Sequence, residues 1–369
     1  MSASIQTTGS GCIAAGNPSH LKINSKPLEP KINKILIIQT AFIGDVVLTT
    51  PLARATKQSF ANSKVHFLVI PSTSNVLENN PYIDQLMVYD KRGKERGFRH
   101  ILKLAWKLTR ERYDLALLPH RSFRSALIAF LAHIPRRLGF DTSAAPFLLT
   151  QRIPYQRDLH EVERNLTLLK PFQVNPIHKQ PEIYPDEKDR QVVDHFFDHQ
   201  GINQNYDLIA LAPGSIWPTK RWPEERYAQL AQKLIEQSSS TVILVGSKQD
   251  QTLCQWIAGQ TKGPIYNAAG EFTLRQSAEL LRRCRLLVSN DSAPMHLAVA
   301  IGTRVVAIFG PTVPGFGFYP YGPGHVVIEK ELACRPCGLH GGTRCPSGSF
   351  QCMKGISVEE VFQVIKELV

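Results

Sequence analysis

From Lys34 onward the chain alternates two patterns. Short, nearly continuous apolar runs predict buried strands, and longer stretches with apolar residues every three or four positions predict helices packed over them. Strands are expected at Lys34 to Gln39, Val65 to Ile70, Gln85 to Tyr89, Leu115 to Leu118 and Arg137 to Phe140. Between and after them fall helices at Val46 to Ser59, Phe98 to Arg112, Phe123 to His133 and His160 to Lys170. Pro51 should kink the first of these or delay its start, because it lacks an N–H and clashes with the preceding turn. On the last helix, Glu161 and Glu163 read as a solvated face.

Pro171 to Asp186 holds four prolines and reads as a linker. A second alternation follows. It has strands at Leu208 to Leu211, Val242 to Val245, Leu286 to Val288 and Val305 to Phe309, and helices at Lys188 to His199, Glu224 to Gln237 and Leu274 to Arg283. A last helix is expected at Val358 to Leu368. Two runs of strand–helix units joined by a Pro-rich linker predict an α/β chain of two Rossmann-like, doubly wound domains facing across a cleft. The expected division is an N-terminal extension (1–30), a first domain (31–175), a second domain (176–355) carrying a cysteine-bearing segment (334–352), and a C-terminal helix (356–369).

Composition narrows the class. With 369 residues, 43% hydrophobic and 20% charged, the chain has the make-up of a soluble globular protein. No apolar run approaches the ~20 residues that span a bilayer. Met1 to Pro30 is polar and lacks the apolar core of a secretory signal, so it reads as a mobile tail and the expected compartment is the cytoplasm. A net charge of +12 implies an anionic partner, whether nucleotide, nucleic acid or anionic lipid. No recognition helix, zinc finger or RNA-binding signature is present, which argues against nucleic acid.

The candidate chemistry lies where strands end. In an open parallel sheet, ligands bind at the C-terminal ends of strands. Asp45 stands there after Gly44, placed to take a proton from a hydroxyl acceptor. A helix start lowers a carboxylate's pKa, so Asp45 serves as a base only if the cleft desolvates it. In the second half, Ser215, Lys220 and Arg221 lie in a long loop stiffened by two tryptophans and three prolines. Paired cations suit a diphosphate. Asp250 opens the helix after the next strand, where an acidic residue often takes ribose hydroxyls. Asp291, Ser292 and Ala293 form a strand-to-helix junction whose free N–H groups suit a phosphate. His296 follows one turn later and either reaches the same pocket or packs. For Asp45, Asp250 and Asp291 a plain helix N-cap competes with each functional reading. Cys334, Cys337, Cys345 and Cys352 cluster, and are candidate ligands for zinc or iron, although the later spacings form no second CxxC. Neither polar loop is a P-loop or a GxGxxG fingerprint.

Together, IGDVVLTTP (Ile43 to Pro51), APGSIWPTKRWP (Ala212 to Pro223), LVGSKQD (Leu244 to Asp250), SNDSAPMHLAVAIGT (Ser289 to Thr303) and FGPT (Phe309 to Thr312) resemble the bacterial ADP-heptose:lipopolysaccharide heptosyltransferases, glycosyltransferase family 9. The likeness runs from about Lys34 to the C-terminus. It implies the GT-B arrangement and inverting transfer of a heptose from ADP-heptose to an inner-core sugar, with no cofactor required. By position it makes Asp45 the base, Lys220 and Ser215 phosphate holders, Asp250 the ribose acid and Asp291 a sugar contact. The KRWP loop and the cysteine segment are most like members that extend an acceptor already bearing Kdo and one heptose. A first-heptose activity on Kdo and a protein acceptor stay open. The implied partner is an anionic lipopolysaccharide core acceptor at the inner-membrane surface, met by cations between Lys91 and Arg112.

Overall fold

Ile35, Leu36, Ile37 and Ile38 are fully buried, so the first strand, β1 (Lys34–Ile38), must be covered on both faces. That is the signature of a central strand in a parallel sheet. The computed structural model describes residues 31–203 and 207–369, and the expected extension Met1 to Pro30 lies outside them. β1 pairs in parallel with β2 (Lys64–Val69) and β4 (Leu115–Leu118). With β3 (Gln85–Val88), β5 (Arg136–Phe140) and β6 (Gln151–Ile153) they form a six-stranded sheet of order β3-β2-β1-β4-β5-β6.

The second lobe repeats the plan. Its strands are β7 (Leu208–Ala212), β8 (Thr241–Leu244), β9 (Ile265–Asn267), β10 (Leu286–Asn290), β11 (Arg304–Ile308) and β12 (Val326–Ile328). They form an all-parallel sheet of order β12-β11-β10-β7-β8-β9. Both lobes are therefore doubly wound, as the alternation predicts. In each sheet the strand order reverses beside the first strand of the lobe, β1 or β7, and crevices open at the strand ends at such points.

Pro51 acts as expected: the predicted helix divides into Ile43–Val47 and Thr50–Ser59, with Pro51 in the first turn of the second piece. The helix Glu187–Gln200 starts at Asp186, whose side chain accepts from the Asp189 N–H at 3.1 Å. It stops at Gly201, which takes a left-handed φ of +63°. The C-terminal helix Val358–Leu368 buries Phe362 and Ile365 in one apolar cluster with Leu230 and Leu234 of the helix Glu224–Ser238. It is thus part of the second lobe's core. The largest apolar cluster joins the lobes, running from Val46 and Val47 to Met295, Leu297 and Ala298.

Candidate active site between the two lobes

Asp45 is the third residue of the helix Ile43–Val47, directly after β1. Its Oδ2 accepts the Phe42 N–H at 3.1 Å, and its carbonyl accepts the Thr49 hydroxyl at 2.7 Å. Enclosure by both lobes raises its pKa to about 6, although part of the side chain still opens on the cleft. Desolvation outweighs the backbone N–H bonds and the Arg121 charge, which pull the other way. Burial thus offsets the helix-start effect that would otherwise hold this carboxyl low.

Glu161 corrects an expectation. It reads from sequence as part of a solvated face, yet it is 6% exposed. Its Oε2 accepts from Arg164 Nη1 at 2.6 Å, and its backbone N–H donates to the Gly317 carbonyl of the other lobe at 2.8 Å. Burial raises its pKa to about 7 against the Arg164 charge, with the Asp45 charge adding to the rise. Glu163 is also engaged, bonding Tyr321 at 2.5 Å and Lys179 at 3.1 Å.

On the donor side, Lys220 closes the short turn Pro218–Lys220 and is 9% exposed. Its Nζ donates to Asp291 Oδ2 at 2.5 Å, and the Thr312 hydroxyl donates to the same oxygen at 2.6 Å. Lys220, Asp291 and Thr312, drawn from three of the sequence motifs, therefore form one buried group. The two neighbouring cations have different tasks. Arg221 directs Nε and Nη2 to the Ser215 carbonyl, at 2.9 and 2.7 Å, and so fixes the loop. Ser215 is buried, and its Oγ accepts the Trp217 N–H at 3.3 Å.

Asn290 was missed by sequence reasoning. Its side chain accepts from the Trp222 N–H at 3.0 Å and the Tyr227 hydroxyl at 3.2 Å, and donates to the Pro213 carbonyl at 2.8 Å. This buried amide ties the end of β10 to the Lys220 loop. The available signal was an amide closing an otherwise apolar strand, where burial demands partners.

Asp250 caps its own turn, accepting from the Ser247 N–H at 2.9 Å and the Ser247 hydroxyl at 2.6 Å. It also faces the donor loop: a Cβ at Gly214 would lie 2.2 Å from its Oδ1. The carboxylate therefore stands directly beside Ser215's loop. Ser292 is the N-cap of the helix Ala293–Ile301, whose first N–H groups point out at the Asp291 end.

His296 lies on that helix, 5% exposed, and packs across the lobe boundary: a Cβ at Gly44 would sit 2.7 Å from its Cδ2. Burial lowers its pKa to about 4, so the ring is neutral. Its Nδ1 has no hydrogen-bond partner among the described residues.

Cys337, Cys345 and Cys352 line one small cavity with Thr219 and His340. Burial pushes the Cys337 and Cys352 thiols up, whereas hydrogen bonds from Ser347 and the Phe350 backbone lower Cys345. Among the described residues no three His, Cys, Asp or Glu side chains are grouped so as to hold a metal ion. The expectation of zinc or iron at Cys334, Cys337, Cys345 and Cys352 therefore gains no support from the geometry. Among the described residues, no helix is long and apolar enough to cross a membrane.

Comparison with known proteins places this arrangement among known ones. The family model "Glycosyltransferase family 9 (heptosyltransferase)" matches residues 101–342. The lipooligosaccharide heptosyltransferase 2 of Haemophilus ducreyi is 30% identical over 299 residues, covering 77% of this chain and 85% of the relative. The lipopolysaccharide heptosyltransferase 2 of Salmonella typhimurium is also 30% identical, over 77% of this chain and 84% of the relative. The crystal structure of a family 9 glycosyltransferase from Veillonella parvula superposes with a TM-score of 0.81 at 25% identity, over 92% of this chain and 98% of that one.

Proposed function

The chain belongs to glycosyltransferase family 9, the heptosyltransferases, and from that premise we propose that it transfers L-glycero-D-manno-heptose from ADP-heptose to the first heptose of the lipopolysaccharide inner core. It is a glycosyltransferase of lipopolysaccharide core synthesis. The acceptor assignment follows from the two relatives at 30% identity, both named heptosyltransferase 2.

One observation carries the mechanism. Asp45, with a carboxyl that titrates near 6, is held across the lobe boundary from the buried Lys220–Asp291–Thr312 group, with His296 against Gly44 as the spacer. In our reading Asp45 takes the proton from the acceptor hydroxyl as that oxygen attacks the anomeric carbon. The C–O bond to the diphosphate breaks on the opposite face, which inverts the centre. Lys220, Ser215 and the amides of Ser292 and Ala293 stabilise the charge that develops on the leaving ADP. Asp291 orients Lys220 and reaches the heptose, and Asp250 takes the ribose. His296 stays neutral and sets the spacing. Removing either partner of the Lys220–Asp291 pair leaves a buried charge uncompensated, so both are needed for either to be tolerated. We further propose that the acceptor approaches along the exposed cations of the first lobe, at the cytoplasmic face of the inner membrane.

The test is product analysis. The purified protein is given ADP-heptose with acceptors ending in Kdo or in heptose–Kdo, and the new linkage is assigned by NMR. A heptose joined to heptose with inverted configuration supports the proposal. Extension of the Kdo acceptor alone would instead make it a first-heptose enzyme.

A further inference from the structure

The cysteine-bearing segment does more than decorate the second lobe. Its turn 339–342 lies across the Lys220 loop. The Thr219 N–H and hydroxyl both donate to the Gly342 carbonyl, at 3.1 and 2.9 Å, and the Gly342 N–H donates to the Thr219 hydroxyl at 2.7 Å. Gly341 is pressed so close that a Cβ there would lie 2.6 Å from Trp217 Cβ and 2.9 Å from Lys220 Cγ. This contact presents His340. Its ring stacks on Trp217, with centroids 6.3 Å apart and planes 13° from parallel. On the other side it meets the edge of Phe42, at 6.4 Å, three residues before Asp45 in the opposite lobe. His340 is thereby held between the residue run that carries the proposed base and the one that carries the phosphate lysine.

The electrostatic setting points to an anion. Burial lowers the His340 pKa, and the charges of Lys220 and Arg121 lower it further against that of Asp291. Asp291 already accepts from Lys220 and Thr312. Lys220 and Arg121 thus outnumber the one nearby carboxylate, which is already engaged. An exposed donor in a net positive recess, beside a lysine already assigned to phosphate, suits a phosphate oxygen. We propose that His340 is a further donor-site residue, whose ring N–H contacts the diphosphate of the ADP-sugar and its leaving group. The inference rests on the ADP-heptose reading above.

The experiment measures binding of ADP and of adenosine by titration calorimetry to the native protein, His340→Ala and His340→Phe. The phenylalanine keeps the stack on Trp217 and Phe42 and removes the N–H. Loss of one charge-assisted hydrogen bond predicts a fall in ADP affinity of roughly tenfold or more in both variants. Adenosine affinity and melting temperature should stay at the native values. Native ADP affinity in His340→Phe, or an equal fall for ADP and adenosine, would overturn the assignment and reduce His340 to a packing residue. If the native protein bound no ADP, the donor reading itself would fail, and this inference with it. Native binding combined with an unaffected phenylalanine variant would sink this inference alone.

Discussion

Gly44 of the first lobe packs against the imidazole of His296 in the second, with no space for even one added carbon. A Cβ on Gly44 would meet His296 Cδ2 at 2.7 Å, inside any real contact distance. The pair sits between Asp45 and the Asp291–Lys220 group, so it fixes how far the proposed base stands from the phosphate site.

Gly44→Ala is therefore expected to push the two helices apart while each lobe keeps its own core. Misplacement by about 1 Å can cost on the order of 10²-fold in rate. The check is kcat/KM for ADP-heptose beside a melting curve. A roughly tenfold to hundredfold loss with a nearly native Tm is expected. Gly44→Ala with native turnover would show that the contact yields freely.

Asp45→Ala should cut turnover by roughly 10²–10⁴, the usual worth of a general base, with ADP binding nearly intact. The native pH–rate profile should rise through an acid limb near pH 6, because Asp45 must be ionised to act and burial raises its pKa to about 6. Stability moves the other way. A carboxyl raised in the folded state favours folding fully below its ordinary pKa of 3.8, and that contribution is lost as pH rises through 6. Asp45→Asn should thus gain stability at pH 8 relative to pH 4, on the order of 1–3 kcal/mol. Parallel melting temperatures at the two pH values would count against a desolvated Asp45.

The two lobes and most of their strands were legible because buried parallel strands advertise themselves as apolar runs. Three strands escaped: β6 (Gln151–Ile153), β9 (Ile265–Asn267) and β12 (Val326–Ile328) have three residues each, too few to show a period, and each closes an edge. The strand-end motifs of the second lobe pointed to Lys220 and Asp291, which the fold brings into one buried group, because strand ends converge by topology. Glu161 and His340 could not be found that way. What buries Glu161 is the junction with Gly317 in the other lobe, and what orients His340 is Gly341 pressed on Trp217. Neither contact leaves a periodic trace in the chain.

Glu161→Gln should leave the acid limb of the rate profile near 6, because burial raises the Glu161 pKa to about 7 and the group is mostly neutral where Asp45 ionises. The substitution also leaves Arg164 buried, at 1% exposure, without its carboxylate partner, which is expected to destabilise the fold by roughly 3–5 kcal/mol. A pH–rate profile of the variant below its melting temperature decides the point. An acid limb moved well below 6 would show that Glu161 is charged beside Asp45 and contradict its desolvation.

Thr312→Val tests how Asp291 is held. The Thr312 hydroxyl donates to Asp291, and the Thr312 carbonyl accepts from Arg335 Nη2 at 2.7 Å, so the cysteine-bearing segment braces the lysine's partner. Loss of the hydroxyl removes a charge-assisted hydrogen bond worth about 1.5–3 kcal/mol. Weaker ADP binding and slower turnover are expected together; unchanged ADP affinity would free Lys220 from this brace.

The most direct measurement is ADP release from ADP-heptose, with and without a heptose–Kdo₂ acceptor, by the native protein and by Asp45→Ala. Release that requires the heptosylated acceptor and falls at least a hundredfold in Asp45→Ala is the predicted result. Equal release by both proteins, or none by the native protein with that acceptor, would contradict transfer driven by Asp45.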